Sequence, residues 1–201
     1  MYNDEQDIIA SAINGDAEAF GVLVSRYTPK ALAYARQMAG NSDDAKDLVQ
    51  ESFVKAYYNL GSFKGESGFP AWFFRVLTNI CMDHLRKRAL VKKVFFFLPG
   101  PDGSDDEGEE DDGPLYTAAD LHPLADPGGV LEQKELNRAF GKALKVLPAR
   151  QRAAFVLRHG DGMKLSEVAA ALGITEGAVK AHLVRAVASV QKSMKEYGYH
   201  G

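Results

Sequence analysis

Arg75, Asn79 and Arg86 are spaced four and seven residues apart, which on an α-helix confines them to an arc of about 40°. Two guanidiniums and an amide on one stripe can grip phosphates and pair with base edges. Asp83 shares the stripe, where its carboxylate either orients Arg86 or meets the same partner. Arg86, Lys87, Arg88, Lys92 and Lys93 extend the stripe into a cluster suited to a polyanionic backbone. Just upstream, FPAWFF crowds Phe69, Trp72, Phe73 and Phe74 into one short stretch. Trp72 shares a face with Val76 and reads as core. Phe69 and Phe73 or Phe74 could stack on unpaired bases, or all four rings could be buried.

A second constellation begins at Lys164, KLSEVAAALGITEGAVKAHLVRAVASVQK. Leu165, Val168, Ala169 and Leu172 line one face of a short helix, and Gly173 supplies a tight turn. Ile174 plugs the core, Thr175 caps the next helix, and Val179, Leu183, Ala186, Val187 and Val190 form its buried stripe. A small residue, Gly four later and Val six after that is the spacing of a helix-turn-helix. Its outer face offers Glu176, Gly177, Lys180, Ala181, Val184 and Arg185 to a major groove, with Lys180 and Arg185 able to hold phosphates as readily as bases. His182 reads as a packing or phosphate residue, not a metal ligand.

The charge balance agrees. The whole chain carries a net −3, but from Arg138 to Lys195 there are eleven bases against three acids, which suits a polyanionic partner. Enzyme chemistry finds no support: there is no Gly-rich phosphate loop, paired-His metal motif, nucleophile elbow or Cys–His pair, and the five histidines are scattered. No cofactor or metal is expected. The single cysteine, Cys81, rules out an intramolecular disulfide and fits a reducing compartment. With no apolar segment near the roughly 20 residues needed to span a bilayer, the expectation is a cytoplasmic chain without membrane insertion.

The elements that must position these groups all have a helical period. Ile8, Ile9, Ala12 and Ile13 form one apolar stripe; Asn14-Gly15-Asp16 interrupts, and Phe20, Leu23, Val24 and Tyr27 begin another. Pro29 can open a further helix, Ser42 can cap the next over Asp43 to Leu60, and Pro70 opens one running to about Arg88. From Pro99 to Gly129 composition collapses into Pro, Gly and acid, and helical patterning resumes at Val130 in four short helices. Sustained period-2 alternation is absent. The fold class read from this is all-α: two small helical domains on an acidic, disordered linker, the C-terminal one a helix-turn-helix.

Three stretches taken together, GDAEAFGVLVSRYTPKALAYARQMAGNSDDAKDLVQESFVKAY, FKGESGFPAWFFRVLTNICMDHLRKR and LPARQRAAFVLRHGDGMKLSEVAAALGITEGAVKAHLVRA, resemble a bacterial RNA polymerase sigma factor of the extracytoplasmic function (ECF) class. The resemblance implies region 2 over residues 1–93, a linker over 94–130 and region 4 over 131–201. It implies promoter DNA and core RNA polymerase, through its β′ clamp helices and β flap, as partners, together with an anti-sigma factor. It also implies roles. Asp47, Leu48, Gln50, Glu51 and Phe53 would dock on polymerase; Phe69, Phe73, Arg75, Asn79, Asp83, Arg86 and Lys87 would meet the −10 element. Thr175, Glu176, Gly177, Lys180, Ala181 and Arg185 would meet the −35 element. Val187 departs from the pattern, where many relatives carry Arg, and VFFFLPG from Val94 has no role in it. The rival readings are a helix-turn-helix regulator of the response-regulator or quorum type, which would need strand patterning that the first 90 residues lack, and a sigma mimic that sequesters an anti-sigma factor.

Pro101 to Pro114, PDGSDDEGEEDDGP, carries eight carboxylates and no base. Its sign suits passage through a basic channel of the polymerase, as the family's linker does, and equally a weak fold-back onto the basic C-terminal segment, or it is an inert spacer. Deletion of Asp102 to Asp112 separates these. Lost initiation with intact DNA binding marks the first, tighter DNA binding at low salt marks the second, and no change in either marks the spacer.

Overall fold

The computed structural model describes residues 4–97 and 129–196, with side chains described over 4–91 and 135–196. The linker expectation falls mostly on 98–128, outside the described residues. Among the described residues, eight α-helices appear in chain order: α1 Glu5–Ile13, α2 Ala17–Ala39, α3 Ser42–Asn59, α4 Gly68–Phe97, α5 Gly129–Lys145, α6 Ala149–Phe155, α7 Leu165–Leu172 and α8 Glu176–Glu196. A 3-10 turn, Leu60–Ser62, follows α3, and a π turn, Val156–Gly160, follows α6. No strand occurs among the described residues.

Local chemistry sets the ends. The Asp16 carboxylate accepts from the Glu18 and Ala19 N–H groups at 2.9 and 3.1 Å, capping α2. That helix runs unbroken through Pro29, where the sequence suggested a new start. Leu23, Tyr27, Ala31 and Tyr34 are buried on both sides of the proline, so one continuous apolar stripe outweighs the lost backbone bond. Gly40, at φ 87°, ends it in the left-handed conformation. The cap of α3 is Asn41 and not Ser42: its side-chain oxygen accepts from Asp44 N–H at 2.8 Å. Helix α4 outruns its expected end at Arg88 by nine residues and takes in Val94 to Phe97, which sequence reading gave to the linker.

The first half is built on aromatics. Phe69, Phe73, Phe74, Leu77 and Cys81 bury one face of α4. Phe73 stacks on Phe53 of α3 with centroids 4.5 Å apart, Phe69 lies 5.3 Å from Tyr27, and Tyr34 meets Phe74 edge-on at 5.5 Å. The fully buried Tyr34 hydroxyl is satisfied by Thr78 Oγ1 at 2.8 Å. In the second half, Gly173 adopts φ 63° and Ile174 N–H returns to the Ala169 carbonyl at 3.1 Å, closing the turn between α7 and α8. Thr175 Oγ1 caps α8 by accepting from Ala178 N–H at 3.2 Å. Val168, Val179, Ala186 and Val190 are buried, as the pattern required.

The halves are not apart. Helix α4 packs on α7, and α2 touches α5, α6 and the π turn. Arg152 of α6 donates from Nη1 to the Gln37 carbonyl of α2 at 3.3 Å. Replacing Phe73 with Ala empties the centre of the aromatic cluster; the expected loss is about 3–5 kcal/mol, read from denaturant midpoints.

Candidate nucleic-acid interface

Burial of one face of α4 leaves Arg75, Asn79, Asp83 and Arg86 on the opposite side, all exposed, with Lys87 beside them. Asp83 and Arg86 form an ion pair at 2.8 Å, so the carboxylate orients the guanidinium. This pair is exposed and helix-spaced, so its worth is geometric more than energetic. Phe69 and Phe73 lie elsewhere: at 1% and 0% exposure they are part of the core and present no face to a base. The i, i+4 spacing that brings them together is the spacing of a core stripe. Trp72, packed obliquely on Phe63 and Phe69, keeps a partly open edge.

On α3 the expected docking residues separate in the same way. Asp47, Gln50 and Glu51 are exposed, whereas Leu48 and Phe53 are buried. The exposed apolar surface comes instead from Val54 and Tyr58, the latter 81% exposed. Asp47, Glu51, Val54 and Tyr58 follow one another at intervals of four, three and four, so they share a stripe about 60° wide. That spacing is legible in the sequence, and the apolar side chains on this stripe are Val54 and Tyr58, not the buried Leu48 and Phe53. The stripe combines an acidic end with an aromatic end, the composition of a rim beside an anchor.

Thr175 at the cap and Glu176, Gly177, Lys180, Ala181 and Arg185 on α8 are all exposed, spread over about half of the helix circumference. Val184 stands among them at 71% exposure, an apolar side chain between two cations. His182 is half-buried; burial, Arg185 and Arg150 push its pKa down and favour the neutral ring, as a packing role requires.

The seam between the halves runs over the α4 stripe. A Cβ placed on Gly173 would lie 3.8 Å from Arg75 Nη2. Asn79 and Arg86 line a small cavity of about 50 Å³ with Arg150, Leu172 and Ile174. The turn of the helix-turn-helix therefore sits against the residues assigned to the −10 element, while the outer face of α8 stays open. At the far side of the seam, Asp161 ends the π turn against α2. Its Oδ2 is buried without a hydrogen-bond partner. Burial pushes its carboxyl up to about 7, and Lys30 offsets this in part.

Residues 23–91 match the family model for Sigma-70 region 2 and residues 137–190 match that for Sigma-70 region 4. The chain is 28% identical over 197 residues to the RNA polymerase sigma-H factor of Pseudomonas aeruginosa, covering 97% of each chain. It is likewise 28% identical over 191 residues to the ECF RNA polymerase sigma-E factor of Escherichia coli K12, covering 95% of this chain and 94% of that one. Among solved structures, the sigma factor RpoE in complex with the anti-sigma factor NepR from Bartonella quintana superposes with a TM-score of 0.64 at 27% identity, over 89% of this chain and 98% of that one. CnrH in complex with the cytosolic domain of CnrY gives 0.62 at 27% identity, over 96% and 99%.

The Asp161 carboxyl sets a pH dependence whose sign is fixed. An acid with a raised folded pKa binds its proton in the folded chain before the unfolded one, so its stabilising contribution is present below its ordinary value of 3.8. It is lost as pH rises to about 7, at a limiting slope of about 1.4 kcal/mol per unit. Urea melts between pH 4 and 7 should show Asp161→Asn with a flatter stability profile than the parent and equal or greater stability at pH 7.5.

Proposed function

As a member of the sigma-70 family, carrying its regions 2 and 4 in the two-region form of the ECF class, this chain is a transcription initiation factor that directs RNA polymerase to promoters, and we propose that its halves divide the work as follows. Residues 1–93 hold core polymerase through the exposed stripe of α3, where Asp47, Gln50 and Glu51 surround Val54 and Tyr58. The same half reads the −10 element with Arg75, Asn79 and the Asp83-oriented Arg86. Residues 131–201 dock on −35 duplex through Lys180, Ala181 and Arg185, helped by the capped N-terminus of α8 at Thr175, Glu176 and Gly177. The intervening acidic segment, 94–130, tethers the two.

The observation that carries this reading is the coexistence, on two separate helices, of a cation-and-amide stripe on α4 and a cation face on α8. A sequestering mimic would need neither. Work in this scheme is done by binding: capture of unpaired bases offsets the few kcal/mol of unstacking at each step. No group on the chain needs to make or break a bond. The turn between α7 and α8 borders the exposed α4 stripe at Arg75, Asn79 and Arg86, and parting α4 from α7 on polymerase would give the −10 element room there. A factor acting on RNA polymerase, as its homologues do, would work in the cytoplasm. Both solved relatives named above are complexes, one with an anti-sigma factor and one with a cytosolic domain, and an anti-sigma partner is proposed for this chain as well.

Run-off transcription with purified core polymerase tests the scheme. Asn79→Ala should lower promoter-specific product about tenfold with an unchanged melting curve. Lys180→Ala and Arg185→Ala should each weaken −35 binding and reduce the salt slope by about one. Unaltered affinity and slope in both would remove α8 from the interface.

A further inference from the structure

A cavity of about 260 Å³ lies in the seam, where the end of α2 and the middle of α4 meet α5 and α6. Arg88 enters it from one half, and Lys145 and Arg152 from the other, with Asn41 between them. We propose that this cavity is a binding site for a small molecule carrying a phosphate or diphosphate group, which bridges the two halves in the closed arrangement.

The argument begins with Arg152. It is 8% exposed, and a guanidinium so buried is costly unless an anion answers its charge. Among the described residues no carboxylate pairs with it. Its printed hydrogen bond goes to a neutral carbonyl, and its Nε is buried with no partner. The ionisable groups closest to it electrostatically are Tyr34 and Cys81. Burial drives the Tyr34 phenol well above its usual value and the Cys81 thiol up to about 12, so both keep their protons at neutral pH and supply no negative charge.

The other cations are only partly answered. Arg88 lies 3.7 Å from Asp44 and donates to the Ala39 carbonyl at 3.2 Å. Lys145 is exposed and makes no ion pair among the described residues. The carbonyl end of α2 contributes about half a negative charge. Three cations thus face one carboxylate and half a dipole charge, which leaves between one and two positive charges uncompensated in a partly enclosed space. Arg forks and Lys are the usual phosphate ligands, and a volume just under the roughly 300 Å³ at which small-molecule pockets begin limits the occupant to a compact anion. Because its ligands come from both halves, an occupant stabilises the closed arrangement by mass action.

Calorimetric titration of the full chain with sodium pyrophosphate and with ADP, at constant ionic strength, tests the site, and a thermal melt gives a second readout. The expected result is saturable binding below about 1 mM with a rise in Tm. Lys145→Gln and Arg88→Gln should each weaken it at least fivefold while the unliganded protein still folds. Lys145 is exposed, so its variant remains informative even if Arg152→Met fails to fold. Equal affinity for the two probes assigns the site to the diphosphate itself, and tighter binding of ADP assigns it to a phosphate ester. No saturable binding of either probe up to about 10 mM, binding unchanged in Lys145→Gln, or binding of glutarate in place of both would overturn the proposal.

Discussion

Helix α4 buries Phe69, Phe73, Phe74 and Leu77 against α2 and α3, and that burial leaves Arg75 and Asn79 no direction but outward. The aromatic stack thereby fixes the azimuth of the stripe. With Phe73 stacked on Phe53 and Phe69 packed obliquely on Tyr27, rotating α4 by even one residue would expose several large rings. The placement of a stripe made of long, flexible side chains thus comes from rigid rings on the far side of the same helix. The clustering of aromatics before the cations is the means by which the cations are aimed.

The same face has a second use in the closed arrangement. Leu172 and Ile174 from the helix-turn-helix, together with Arg150, come up against Asn79 and Arg86. The turn within the helix-turn-helix therefore borders the α4 stripe without burying it. Under the proposed reading of the −10 element, such a contact would compete with DNA, and its free energy would subtract from promoter affinity unless polymerase has already separated the halves. The seam is also weakly satisfied. Asp161 Oδ2 and Arg152 Nε are both buried there without partners. Unmet polar atoms lower the stability of the contact that buries them, which favours an interface that opens over a permanent core.

Most of the helices and the whole of the helix-turn-helix were legible, because each rested on a local rule: a 3.6-residue period, Gly173 in its turn, Thr175 at its cap. The differences share one cause. The roles of Pro29, Leu48, Phe53, Phe69 and Phe73 follow from which side of a helix the neighbours occupy, which neither residue type nor a family resemblance specifies. A proline signals a start only where the stripe also breaks, and an aromatic signals a binding surface only where it lies off the stripe. Val54 and Tyr58 could have been found by continuing the spacing from Asp47. The seam could not, since it depends on contacts between residues far apart in the chain, such as Gln37 with Arg152. No local pattern encodes such a pair.

The continuation of α4 to Phe97 also sets a mechanical limit. A helix from Gly68 to Phe97 is a rod of about 45 Å, and the chain leaves it at the tip. Thirty-one residues then join Phe97 to Gly129, the start of α5. At no more than about 3.3–3.6 Å per residue, those two helix ends can never be farther apart than roughly 105–115 Å. Each residue that the rod takes from the tether lowers that ceiling, and lengthening α4 by one turn would cost about 13 Å of reach while moving the point of departure by only about 5 Å. The end of this helix therefore acts as a ruler for how widely the two halves can part and still be held by one chain.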